Sequence, residues 1–171
     1  MNERGACCDD PKQRPACGTD FASLRKAVTR LSGKGVRLVA LQGDEQGRPP
    51  FFAQPVGFDG RAFWVAKDFG CDTEKLLHEF CHWMLAPKER RQRQNYGLGP
   101  NPVHRVVSEE DADNEEVTVM LLERHLAPHF GLADSKIAKP DYNVYSRHNV
   151  DWEACEARAE ALFTVLRARL S

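Results

Sequence analysis

No stretch of this chain is apolar for more than a few residues, far short of the roughly 20 that a helix needs to span a bilayer. The opening residues MNERGACCDDPKQRP also lack the apolar core of a secretory leader. An excess of charge is missing too: 24 Lys+Arg stand against 25 Asp+Glu, a formal net charge of −1. The molecule as a whole therefore exerts no pull on nucleic acid or on an anionic membrane surface. The six cysteines, Cys7, Cys8, Cys17, Cys71, Cys81 and Cys155, contain no CxxC pair, which speaks against a zinc ribbon or a thioredoxin-type redox centre. Their spacing follows no disulfide framework, and no repeat or low-complexity tract occurs. The expectation is a cytoplasmic protein with reduced thiols and with no nucleic-acid or membrane partner.

What is present suffices for one core: 171 residues, 42% of them apolar and 29% charged. Residues 1–18, with Cys7-Cys8 among Pro, Asp and Lys, read as a flexible tail, and 19–171 as a single domain. Thr19 or Asp20 can cap a helix over about 20–32, in which Phe21, Leu24, Val28 and Leu31 recur at helical spacing before Gly33 stops it. Val36–Leu41, Phe51–Gln54 and Arg61–Ala66 read as strands, with Gly43–Gly47 and Phe58-Asp59-Gly60 as turns. A second helix begins at Asp72 or Thr73 and ends at Pro87, with Leu76, Leu77, Phe80, Cys81 and Met84 as its buried stripe. A loop follows over 88–108, then a third helix over about 110–127 whose acidic first turns suit the positive end of the helix dipole. After a polar loop over 131–149, Asn149 or Asp151 caps a last helix built on Trp152, Cys155, Ala159, Leu162, Phe163 and Leu166. The predicted class is α+β: a small antiparallel sheet packed against helices, one of them a zincin-like metal helix.

That second helix carries His78-Glu79-Phe80-Cys81-His82. Histidines four apart leave one helix face a turn apart and can reach a single metal ion. Glu79 lies about 100° round the helix from His78, badly placed as an equivalent ligand but well placed to act as general base or acid on a metal-bound water. A catalytic metal needs a further protein ligand and an open position. The acidic cluster Glu109, Glu110, Asp111, Asp113, Glu115, Glu116 supplies candidates, most of which must be solvated charges. Glu115 shares a face with Val119, Leu122 and Leu126, and Glu116 with Val119, Met120 and Ala127, so either can point inward. His125 and His129 share the four-residue spacing, but Pro128 breaks the helix between them. His104 and His148 fall in loops. Trp83 reads as a core anchor, with lining of the cleft as its alternative. The basic run Lys88, Arg90, Arg91, Arg93 begins one turn beyond the metal helix, where Arg90 and Arg91 could grip carboxylates of a protein substrate.

His78-Glu79, His82-Trp83, Ala86, Lys88, Arg90-Arg91 and Gly97, in this order and spacing, resemble the bacterial elongation factor P hydroxylase family, which oxidises a modified lysine on that translation factor. Glu116-Val117 with Leu122 and Glu123 resemble a second block of the family, and Arg37-Leu38 with Gly43-Asp44-Glu45 its strand-and-turn entry. The likeness runs loosely over 35–125 and is specific around 78–97 and 116–123. It implies Glu116 as the third ligand, Fe(II) as the metal and a protein substrate such as a translation factor. Leu98-Gly99-Pro100-Asn101-Pro102 and Thr118-Val119-Met120-Leu121 depart from the family pattern, which implies a relative with altered specificity. Two histidines and a carboxylate equally form the zinc set of HExxH peptidases, with Glu79 as general base, so a zinc metallopeptidase is the alternative to a non-haem iron hydroxylase. A non-catalytic metal-binding protein is the third class.

Overall fold

A computed structural model of the chain describes residues 19–39, 56–58, 60–66, 73–99, 105–132 and 150–170. The expected tail 1–18, the strand 51–54, the turn 43–47, the loop 133–149 and the loop residues His104 and His148 lie outside the described residues. Four helices are seen at α1 (Thr19–Ser32), α2 (Thr73–Leu85), α3 (Glu109–Leu126) and α4 (Trp152–Leu170), and strands at β1 (Gly35–Val39), β2 (Val56–Phe58) and β3 (Ala62–Ala66). Short 3-10 turns follow at Gln94–Gly97 and Ala127–Phe130.

Local chemistry accounts for the helix ends. Gly33, at φ 65°, takes the left-handed position that stops α1, and its N–H reaches Thr29 O at 2.9 Å. Ser108 Oγ accepts from the Asp111 N–H at the start of α3, where Glu109, Glu110 and Asp111 face the positive helix end. Asp151 Oδ1 accepts from the Ala154 N–H to cap α4. The Asp151 N–H in turn donates to Asn114 Oδ1 at 2.9 Å, which pins the start of α4 to α3.

The sheet corrects the expectation of an antiparallel arrangement. Its order is β1-β3-β2, with β1 parallel to β3 and only β2 antiparallel to it. Strands β2 and β3 pair antiparallel across a short stretch of chain; Phe58, expected in the turn Phe58-Asp59-Gly60, is instead the last residue of β2, a strand not expected from the sequence. Parallel strands require a long crossover, and residues 40–55 with β2 lie between β1 and β3 in the chain. Central β3 is correspondingly apolar in consecutive positions: Ala62, Phe63, Trp64 and Val65 are all buried. Phe58 and Phe63 are register partners with rings 4.9 Å apart.

One core joins these layers. Leu24 and Val28 of α1, Phe63 and Val65 of β3, Leu76, Leu77 and Phe80 of α2, Val119, Leu122 and Leu126 of α3, and Ala159 and Leu166 of α4 belong to a single buried cluster. Helix α3 packs against both α2 and α4, so the face of α2 that carries the histidines looks onto α3. Among the described residues no helix is long and apolar enough to cross a membrane.

Candidate metal centre

Helix spacing brings His78 and His82 together, and α3 supplies the carboxylate. His78 Nε2 lies 3.2 Å from His82 Nε2. Glu116 Oε1 is 3.4 Å from His78 Nε2, and its Oε2 is 3.1 Å from His82 Nε2. Ligands bonded at about 2.0–2.1 Å and about 90–110° apart sit about 2.9–3.4 Å from one another, so these spacings match those that one shared cation would require. His78, His82 and Glu116 are the cluster of metal-ligating groups found among the described residues.

A cavity of about 190 Å³ opens beside them, lined by His78, Glu79, His82, Asn95, Tyr96, Leu98, Gly99 and Glu116. Two imidazoles and a carboxylate thus converge beside an open cavity, where a cation held by all three would keep room for a further ligand. Glu79, expected as the proton-handling group, lies in this wall. Burial lifts its carboxyl above the usual range, against the pull of the His82 and His78 charges.

Behind the histidines, Glu123 of α3 is 3% exposed and its Oε2 lies 3.1 Å from His78 Nδ1. An ionised carboxylate accepts from Nδ1–H and so leaves the Nε2 lone pair for a cation. Glu123 is seven residues beyond Glu116, two helical turns along the same face, a spacing from which its position could have been inferred.

Without a cation, a proton takes its place. Burial alone would lower the His78 pKa, but hydrogen bonds and charge from Glu116 and Glu123 overcome it and raise it from 6.5 to about 10. The same histidines hold the Glu116 carboxyl well below its ordinary range, against burial. For the cation-free protein, the raised His78 contributes stability fully present below about pH 6.5 and lost as pH climbs through about 10. The depressed Glu116 contributes stability present above its ordinary value of 4.5 and lost as pH falls below it toward the depressed one. A bound cation must displace the His78 proton, so its apparent affinity is expected to rise about tenfold per pH unit through neutrality. Competition with a chromophoric chelator at several pH values measures this; a pH-independent affinity would show that no proton is displaced.

Rotation about α3 separates the two candidate carboxylates: Glu116 faces the histidines and Glu115 does not. Glu115, 4% exposed, points away from the histidines into a buried ion pair with Arg90. Arg90 NH1 also donates to Tyr96 O at 2.9 Å. Arg91 Nε donates to Ala86 O at 3.0 Å, beyond the end of α2, and its guanidinium carbon lies 4.2 Å from the centre of the Trp83 ring. Both arginines, expected to bind substrate, are thus held by internal partners, and neither is among the residues that line the cavity. Arg90→Ala is expected to destabilise the protein by about 3–5 kcal/mol because it strands a buried carboxylate, and Arg90→Met with Glu115→Leu to recover most of that loss. Urea unfolding of the single and double variants checks it.

Trp83 is a core residue, 7% exposed, packed edge-on to Phe63 and stacked near-parallel to Phe80. His125 stacks on Phe163 with 5.1 Å between ring centres, and His129 lies tilted to the same ring at 5.7 Å.

The wall opposite α2 is the segment from Asn95 to Gly99, which sequence reasoning passed over as loop. Asn95 (φ 44°, ψ 37°) and Tyr96 (φ 54°, ψ 20°) are both left-handed without being glycine, at a cost of about 1–3 kcal/mol each. Gly97 follows at φ 75°, where a Cβ would meet Val106 Cγ2 at 2.6 Å, so only glycine fits. Nothing in residue type marks Tyr96 for this conformation.

Compared with protein-family models, with curated proteins and with solved structures, the chain matches none.

Proposed function

We propose that this chain is a mononuclear metal-dependent enzyme acting on a protein or peptide substrate, with His78, His82 and Glu116 as ligands of one divalent cation and Glu79 as the proton-handling group. One observation carries this reading: three groups able to ligate a metal, from two helices, converge at coordination distances beside an open cavity that the half-buried Glu79 also lines. The cation supplies oxygen activation if it is Fe(II) and activation of water if it is Zn²⁺.

The protein's own groups have definable tasks. Glu123 orients His78 and keeps its Nε2 free for bonding. Glu79, with its pKa raised by burial, can hold or release a proton nearer neutrality than an ordinary carboxyl. Leu98 and Gly99 line the cavity together with the polar groups and add apolar surface to it.

Hydroxylation of a protein side chain by a non-haem iron centre is the preferred chemistry. It is supported by the likeness to the elongation factor P hydroxylase family around 78–97 and 116–123, whose residues Glu116 and Glu123 both reach the histidines. A translation factor in the cytoplasm is the substrate that this likeness implies. Zinc-dependent peptide hydrolysis is the second reading, favoured by the place of Glu79 in the cavity wall, where a general base would take the proton of an attacking water. In either case the arrangement of α2 and α3 is zincin-like. A purely structural metal fits less well, because structural sites are closed.

Metal analysis of protein purified anaerobically, with assays of oxygen uptake and of cleavage of an unfolded protein, separates these readings. Iron with oxygen uptake is the expected result. Zinc with cleavage would replace hydroxylase by peptidase, and absence of any stoichiometric divalent metal would overturn both.

A further inference from the structure

The two imidazoles that face Glu116 are held by different devices. His78 is backed by the Glu123 carboxylate at Nδ1. His82, 6% exposed, has a buried Nδ1 that meets no hydrogen-bond partner among the described residues. Its ring lies instead on Tyr96, with 5.5 Å between centres and 15° between planes.

Tyr96 reaches that place by an unusual route. It is 3% exposed, and its hydroxyl donates to Glu79 O at 2.9 Å, so the side chain grips α2 one turn before His82. Its carbonyl is held by Arg90, and the next carbonyl, of Gly97, accepts from the Val106 N–H at 2.9 Å. These contacts stabilise a left-handed backbone that a bulky aromatic rarely adopts. No helix or strand demands that conformation here. What it achieves is to turn the Tyr96 ring back onto His82.

We infer that Tyr96 is a positioning residue of the metal centre: its ring fixes the His82 imidazole so that Nε2 faces Glu116, the part that Glu123 plays for His78. The inference rests on the metal-centre reading for its purpose, though not for the stacking itself. The two histidines are consequently unequal. His78 is backed at Nδ1 by a carboxylate that makes it more electron-rich, whereas on the side away from Glu116 His82 is held by ring packing. The ion pair of Arg90 with Glu115 supports the turn that carries Tyr96, which gives that buried pair a link to the site.

The test compares full-length wild type, Tyr96→Phe and Tyr96→Leu. In metal-free protein, NMR of the histidine side chains should show cross-peaks between the His82 and Tyr96 rings and a ring-current shift on His82. Tyr96→Phe keeps the stacking face and should preserve the shift, the visible spectrum of the Co(II)-loaded protein, and Co(II) affinity. Tyr96→Leu should lose the shift, broaden the His82 signals, alter the Co(II) spectrum and weaken Co(II) binding about 10–100-fold, the usual effect of removing a group that orients a ligand. The His78 signals, governed by Glu123, should stay in place and report that the fold persists. Unchanged His82 signals and Co(II) spectrum in Tyr96→Leu would overturn the inference. So would the absence of the ring cross-peaks in wild type, which decides the matter even if the leucine variant does not fold. Wild type that shows the cross-peaks yet binds no Co(II) would sink the metal-centre reading while leaving the stacking intact, which separates the two failures.

Discussion

Glu79→Gln is expected to leave bound metal at the wild-type level and to lower turnover by about 10²–10⁴-fold, the range over which a positioned acid or base contributes. Glutamine preserves the shape of the cavity wall but can neither take nor give the proton. Glu79 lines the cavity without belonging to the converging ligand set, so its loss should spare the cation. The measurement is metal content by mass spectrometry beside steady-state rates in whichever assay the wild type satisfies. Wild-type turnover would remove Glu79 from the chemistry. Loss of metal would make it a ligand, contrary to the geometry.

Glu116→Ala is expected to lower metal affinity by more than about 100-fold, since even orienting groups behind a ligand are commonly worth 10–100-fold. The carboxylate reaches both histidines, with one oxygen toward each, so its removal leaves two imidazoles with no negative partner in front of them. In the cation-free protein the same change should bring the His78 pKa down from about 10, because Glu116 provides the largest of the effects that raise it against burial. Chelator competition measures the affinity, and histidine NMR titration the second effect. Glu115→Ala is the informative contrast: it should destabilise the fold by breaking the pair with Arg90 while metal stoichiometry stays the same. Were Glu115→Ala to lose metal and Glu116→Ala to retain it, the ligand assignment would be reversed.

Much of this arrangement is local and therefore readable along the chain. All four helices match periodic apolar patterns, and their ends fall at residues with evident stop or cap chemistry, Gly33, Pro87, Pro128 and Asp151. The approach of His78 to His82 needs nothing beyond helix geometry. Strand β3 was legible too, but β2 was not: its three residues Val56–Phe58 are too few to show alternation, and Phe58 read as turn. In contrast, the pairing of β1 with β3 depends on where residues 40–55 carry the chain, and no short pattern encodes that.

The sequence by itself determined the helices, the histidine pair and the placement of Glu79 beside it, because hydrogen bonding and side-chain direction within one helix follow from spacing alone. Tertiary structure decided the rest. Glu115 and Glu116 differ by about 100° around α3, and only the packing of that helix on α2 and α4 sets which carboxylate meets the histidines. Packing likewise turned Arg90 and Arg91 inward, set Glu123 behind His78 and held Tyr96 in a left-handed turn against His82. The contacts of Glu115, Glu116 and Glu123 join α3 to residues far away in the chain, where the free energy of burial, rather than any local propensity, selects the partner.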